Sequence, residues 1–268
     1  MTGRITILGC GSSGGVPRVG QGWGACDPDE PRNRRLRCSI LIERIAGNGD
    51  RTSVLVDMSP DLRQQLLATG TKVLDAIVLT HPHADHTHGI DDVRPLVLHL
   101  RRRLPVFMDR ATAADVRGKF SYIFDTPPGS LYPPLLDAAD LFAGTPLDID
   151  GAAGALTLTA FELDHGEIMA LGLRIGAVAY TPDLKRIPDA SAPFLEGLDL
   201  WIIDALRYKP HPSHFSLAES LDAIARFRPG RAILTNLHND LDYRALCAEL
   251  PAGVVPAHDG MVLEFDVR

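Results

Sequence analysis

Apolar residues in this chain gather in short β-branched runs closed by Gly, Asp, Asn or Pro, the pattern of strands separated by turns. In the first third the pattern predicts strands over 5–8, 39–43, 53–57 and 76–80. Between the last two, Asp61-Leu62-Arg63-Gln64-Gln65-Leu66-Leu67 switches to helical spacing behind the start signal Ser59-Pro60. The second half repeats the habit, with strands predicted over 156–163, 171–175, 177–181, 200–204, 232–235 and 261–265, and helices over 216–227 and 243–249. The stretch 120–132 carries proline pairs and aromatics without a period and reads as an irregular loop or lid. No Gly-, Ser- or Pro-rich linker and no repeat divides the chain, so residues 1–268 are expected to form one α/β domain with two strand-rich halves.

Composition narrows the function classes. With 268 residues and 45% hydrophobic content the chain can bury a substantial core. A formal charge of −7, and no basic block longer than Arg101-Arg102-Arg103, argue against an extended nucleic-acid surface while leaving room for local capture of a small anion. The chain opens directly on a strand pattern and has no apolar run of the roughly 18 residues that a membrane span needs. The expectation is therefore a soluble, cytoplasmic protein. Its four cysteines, Cys10, Cys26, Cys38 and Cys247, are scattered without CxxC spacing and are expected to be thiols.

The chemistry concentrates behind one strand. Residues 80–92, Thr-His-Pro-His-Ala-Asp-His-Thr-His-Gly-Ile-Asp-Asp, hold four of the ten histidines. On extended or turning backbone, positions i and i+2 share a side, so His81 and His83 suit one metal ion. Asp85 and His86 follow as the chain turns and suit a second ion nearby. Two ions about 3.5 to 4 Å apart share a water that becomes a hydroxide near neutral pH. Three further residues stand where strands are predicted to end: His165, to complete the first ion's nitrogens; Asp183, to bridge both ions; and His238, to complete the second. Nitrogen and oxygen donors of this kind suit zinc or manganese. The competing reading makes these residues surface or capping groups, and His88, Asp91 and Asp92 are read as support or cap residues in either case.

The stretch Thr80 to His86, with His165, Asp183 and His238 in that order, resembles the mark of the metallo-β-lactamase superfamily over essentially the whole chain. The resemblance implies a four-layer αββα sandwich with two metal ions at one edge between the sheets, and Asp57 as an acidic residue supporting the ligands. Within the superfamily, the Gly-rich opening from Leu8 to Ser39, Asp183 and His258-Asp259-Gly260-Met261 are most similar to phosphodiesterases of the PhnP type. Such enzymes open a cyclic ribose phosphate, and ribonuclease Z and PqqB proteins share related motifs. Two departures stand out. Cys26 is alone where the PhnP type clusters cysteines around a structural zinc, so that site is not expected here. Many relatives place the last ligand directly after a Thr, whereas this chain has Thr235-Asn236; because an amide is a poor ligand for a transition metal, the position falls to His238.

In the PhnP-like reading His214 protonates the leaving oxygen, set against helix capping; Asp85 is a ligand that also takes the hydroxide's proton. His211 reads as loop structure or a phosphate contact. Residues 9–15 form a glycine-rich turn that either cradles phosphate through its amides or simply bends beside the site, and they lack the G-K-[ST] of a P-loop. Arg34, Arg35 and Arg37, with Arg94, Arg207 and Lys209, are either substrate contacts or solvated surface. The expected activity is cleavage of a small, cyclic ribose or nucleotide phosphodiester by attack of a metal-bridging hydroxide, in a monomer or homodimer without membrane contact. The rivals are a ribonuclease Z-like nuclease, a PqqB-like metal-binding carrier without turnover, and a lactonase or thioesterase on the same fold.

Overall fold

The computed structural model describes residues 2–266. Its strands form two seven-stranded sheets packed face to face. The first contains β1 (Thr2–Gly9), β2 (Ser39–Ile45), β3 (Arg51–Val56), β4 (Ala76–Val78), β5 (Leu104–Met108) and β6 (Leu136–Asp140). The second contains β7 (Pro146–Ile149), β8 (Leu156–Asp164), β9 (Met169–Ile175), β10 (Val178–Thr181), β11 (Leu200–Asp204), β12 (Arg231–Thr235) and β13 (Val254–Pro256). The final strand, β14 (Val262–Asp266), returns to pair antiparallel with β1. The orders are β14-β1-β2-β3-β4-β5-β6 and β13-β12-β11-β10-β9-β8-β7.

The unbroken apolar runs follow from this layering, because the strands are buried on both faces. Along β2 and β3, Ile40, Ile42, Val54 and Val56 face the other sheet, while Leu41 and Leu55 face outward to helices. Along β11, Ile202 faces inward, and Trp201 and Ile203 face outward. The outer helices of the first sheet are α1 (Leu62–Thr69), α2 (Ala84–Thr87), α3 (Arg94–Leu100), α4 (Arg110–Lys119) and α5 (Ser121–Phe124). Those of the second are α6 (Leu217–Phe227) and α7 (Tyr243–Glu249). The arrangement is the expected αββα sandwich. Among the described residues no helix is long and apolar enough to cross a membrane, and all four cysteines are free.

Direction positions the site. Strands β3, β4, β5 and β6 are mutually parallel, as are β10, β11, β12 and β13. Strand β8 shares the latter direction through two antiparallel pairings with β9. The ends of β3, β4, β8, β10, β11 and β12 therefore deliver Asp57, His81, His165, Asp183, Asp204 and Asn236. Two of these, Asp57 and Asn236, have positive φ (63° and 61°), a conformation that Asn and Asp tolerate better than most residues. The His-rich turn is seated by Met58 N–H to His86 O (2.7 Å) and Gly89 N–H to Met58 O (2.8 Å). A Cβ on Gly89 would lie 2.0 Å from Ser59 O, so this approach requires glycine.

The structure corrects one member of the arginine group. Arg35 is 1% exposed and faces no substrate. Its guanidinium donates to His238 O (3.1 Å), Leu241 O (2.7 Å) and Asn33 Oδ1 (3.2 Å), pinning the chain that follows β12. Replacing Arg35 by Met strands those acceptors and is expected to cost roughly 3 kcal/mol. The check is a lower urea midpoint at unchanged slope. Arg37 is spent on Asp61 through bonds of 2.6 and 2.7 Å, and Arg207 on the carbonyls of Lys209 and Pro210, whereas Arg34 is exposed with its guanidinium 5.3 Å from the Trp23 ring centroid.

Candidate metal centre

Three imidazoles reach the site with their tautomers fixed by the chain. Ser213 O only accepts, so His165 Nδ1, 2.6 Å away, carries a proton and Nε2 keeps its lone pair. Thr80 Oγ1 donates to the Asp57 carboxylate (2.9 Å) and accepts from His81 Nδ1 (3.0 Å), leaving His81 Nε2 unprotonated as well. Asp57 accepts from His86 Nδ1 at 2.7 Å and so turns His86 Nε2 toward the site. Burial pushes the His81 and His165 imidazoles below their ordinary range, which suits neutral ligands.

These nitrogens converge. His81 Nε2 lies 3.1 Å from His83 Nδ1, and His165 Nε2 lies 3.3 Å from the same atom. Asp183 Oδ2 lies 3.7 Å from His81 Nε2 and 3.5 Å from His165 Nε2. All four donor atoms fall within 4.8 Å of one another. Donors on a tetrahedral ion with bonds of about 2.1 Å stand about 3.4 Å apart, so the set has the spacing of a metal site.

The other oxygen of Asp183 turns toward a second group. Asp183 Oδ1 lies 3.4 Å from His86 Nε2, and Asp85 Oδ2 lies 3.6 Å from it. Among the described residues, His86 Nε2 has no hydrogen-bond partner although it is buried. A buried imidazole nitrogen set between two carboxylates and left without a hydrogen bond is suited to hold a cation. Burial lowers the His86 pKa, but the charges of Asp183, Asp57 and Asp85 outweigh it and drive the net shift upward. Burial raises the Asp183 carboxyl, and the surrounding imidazoles, His86 first, overcome it and hold the group well below its ordinary range.

His238 does not join this group. Its Nδ1 pairs with Asp240 Oδ1 at 3.2 Å, and among the described residues no hydrogen bond or ion pair links its ring to the other six proposed ligands. Asn236 lies beside Asp183: its Nδ2 donates to Asp183 Oδ1 and Pro182 O, both at 3.3 Å. Asn236, directly after the strand and at positive φ, thus reaches Asp183, while His238, two positions on, turns its ring to Asp240.

His214 stands at the rim, with Nε2 3.9 Å from Asp183 Oδ2 and its ring edge-on to His165 at 4.6 Å. Its Nδ1 donates to Asp204 Oδ2 at 2.9 Å. Burial opposes the charged ring, yet Asp204 and Asp183 raise its pKa to about 9. The same pair sits on a buried Asp204 whose carboxyl is pushed up to about 6 by desolvation. Helix α6 is capped by Ser216 with Glu219, so His214 is not the cap. His211 lies 5.1 Å from His214, its Nδ1 accepting from Ser213 N–H.

The remaining candidates have structural roles or none recorded. His88 stacks edge-on with Phe120, Asp91 pairs with Arg94, and Asp92 closes the turn after Gly89. The amides of Cys10, Gly11, Ser12 and Gly15 are taken by Asp259 Oδ1, Leu36 O, Leu237 O and Ser12 O, so the glycine-rich turn does not offer them to a phosphate. Asp204 was not singled out in the sequence, although Leu200-Trp201-Ile202-Ile203-Asp204 has the form of Val54-Leu55-Val56-Asp57, an apolar strand closed by a carboxylate. Replacing Asp57 by Asn removes the carboxylate charge and one of the two oxygens that hold Thr80 and His86. Affinity for the second ion is expected to fall about 10- to 100-fold, read by competition with a chromophoric chelator.

Residues 52–236 match a family model described as the beta-lactamase superfamily domain. A protein of Porphyromonas gingivalis named octanoyltransferase is 33% identical over 269 residues, 99% of this chain but 52% of that protein, so the chain spans about half its length. Coenzyme PQQ synthesis protein B of Xanthomonas oryzae pv. oryzae is 27% identical over 235 residues, 77% of this chain and 74% of that one. A crystal structure described as a new diphosphatase from the PhnP family aligns over 100% of this chain and 98% of that chain, with 36% identity and a TM-score of 0.89. The chain belongs to the metallo-β-lactamase superfamily, and its kinship there lies with the PhnP family.

Proposed function

We propose that this protein is a metal-dependent hydrolase that cleaves a small phosphodiester, with cyclic ribose or nucleotide phosphodiesters as the substrate class. The observation that carries the reading is Asp183, whose Oδ2 faces the His81, His83 and His165 nitrogens while its Oδ1 faces His86. Divalent ions held there supply Lewis acidity for a phosphoryl group and lower the pKa of water toward neutrality. The protein's part is orientation. Asp57, Thr80 and Ser213 O aim the Nε2 atoms of His86, His81 and His165 inward, and Asp183 presents one oxygen to each group.

His214 supplies the proton. Asp204 fixes its Nδ1–H, leaving Nε2 free to give a proton to the departing alkoxide oxygen at the rim. A phosphodiester leaves an alkoxide, which needs that proton; a donor held at this position therefore favours such a substrate.

A second reading, hydrolysis of a diphosphate P–O–P bond, is favoured by the 36% identity to the PhnP-family diphosphatase. A panel separates the readings: bis-p-nitrophenyl phosphate, 2′,3′-cyclic nucleotides, a nucleoside diphosphate, pre-tRNA and a lactone, each with added zinc or manganese. Turnover of the first two, lost on chelation and restored by metal, is the expected outcome. Preference for the nucleoside diphosphate supports the second reading, and two bound metals with no product from any substrate support a carrier.

A further inference from the structure

We infer that the two ion positions are unequal, a tight ion among His81, His83, His165 and Asp183 and a labile one beside His86, with Asn236 setting the difference. The inference rests on the metal-dependent reading above. The first group offers three imidazole nitrogens and one carboxylate oxygen within 4.8 Å. The second offers one nitrogen, His86 Nε2, with Asp85 Oδ2 at 3.6 Å and the shared Asp183 Oδ1 at 3.4 Å. Imidazole-rich sets hold first-row divalent ions such as zinc more strongly than carboxylate-rich ones.

Among the described residues, neither Asn236 nor His238 adds a donor to the second group. Asn236 Nδ2 stands 3.3 Å from Asp183 Oδ1, and an amide nitrogen has no lone pair to give. The same nitrogen meets His214 Nδ1 at 3.1 Å, and in either setting of the amide neither its nitrogen nor its oxygen is a strong ligand for a transition metal. His238 is tied as well: its N–H donates to Leu206 O at 2.9 Å, its carbonyl accepts from Arg35 at 3.1 Å, and its ring pairs with Asp240. The ring cannot turn elsewhere without giving up its bond to Asp240.

The test is metal titration of the chelator-stripped protein with Zn²⁺ in competition with a chromophoric chelator, with metal content measured by atomic emission after gel filtration. One equivalent should survive gel filtration, and the second should bind at least about a hundredfold more weakly, the scale on which single supporting groups alter metal affinity. Asn236→His adds the missing nitrogen at a backbone conformation His tolerates, and should narrow the gap to about tenfold or less. Asn236→Asp, which adds a carboxylate in the same shape, should narrow it in the same direction. His86→Gln should remove the weak equivalent and keep the tight one, and His238→Ala should leave both affinities unchanged. Two equivalents of equal affinity in the unmodified protein, or loss of the second in His238→Ala, would overturn the inference. Two equally tight ions with intact hydrolysis would leave the proposed function standing, whereas no stoichiometric binding would remove both.

Discussion

Asp183→Asn is expected to lower turnover of bis-p-nitrophenyl phosphate by about a thousandfold or more, a loss of roughly 4 kcal/mol of transition-state stabilisation. The size follows from the position. Asp183 turns an oxygen toward each donor group, 3.5 Å from His165 Nε2 on one side and 3.4 Å from His86 Nε2 on the other. The amide keeps the shape, but removes the negative charge shared by both positions and puts a donor where one oxygen stood. Metal content should therefore fall together with activity, and excess metal should restore only part of either. Full activity in this variant, with full metal content, would remove Asp183 from the centre.

His214→Ala is expected to act differently. Its cost should depend on the leaving group: about 10² to 10⁴ in rate for an alkoxide, which needs a proton, and only a few-fold for p-nitrophenolate, which leaves well without one. Metal content should stay unchanged, because the His214 ring is held by Asp204 and approaches Asp183 only to 3.9 Å. The measurement is the ratio of rates for a 2′,3′-cyclic nucleotide and for bis-p-nitrophenyl phosphate. Equal losses on both substrates would mean that His214 positions substrate or metal and donates no proton.

Much of the layering was legible because inter-sheet burial leaves a direct trace: strands covered on both faces must be apolar at every position, as in Ile40-Leu41-Ile42 and Val54-Leu55-Val56. The strands β5, β6, β7 and β13 left weaker traces. Strand β5 contains Pro105, the outermost strands β6 and β7 carry Asp137, Asp140 and Asp148, and β13 has only three residues. Such strands bury less and need fewer apolar residues. The stretch 120–132 is helical at Ser121–Phe124 and otherwise irregular, with Leu131 98% exposed.

In the site, His81, His83, Asp85 and His86 stood out because one turn carries all four. His165 and Asp183 were readable as strand ends, since parallel strands bring their ends together. Which of Asn236 and His238 lies beside Asp183 was not readable, because it is set by the chain's path after the strand, where Asn236 has a φ of 61°. The burial of Arg35 was equally hidden: a basic triplet in sequence says nothing about which member the following loop will wrap.

The most direct test of the central claim, that these strand ends form one metal-dependent centre acting on phosphodiesters, is hydrolysis in ¹⁸O-enriched water followed by ³¹P NMR. Metal-loaded protein given a 2′,3′-cyclic nucleotide should yield a ring-opened phosphate carrying one solvent oxygen, and the chelated protein should yield none. Stoichiometric metal binding without any labelled product, across the phosphodiester panel, would contradict the account.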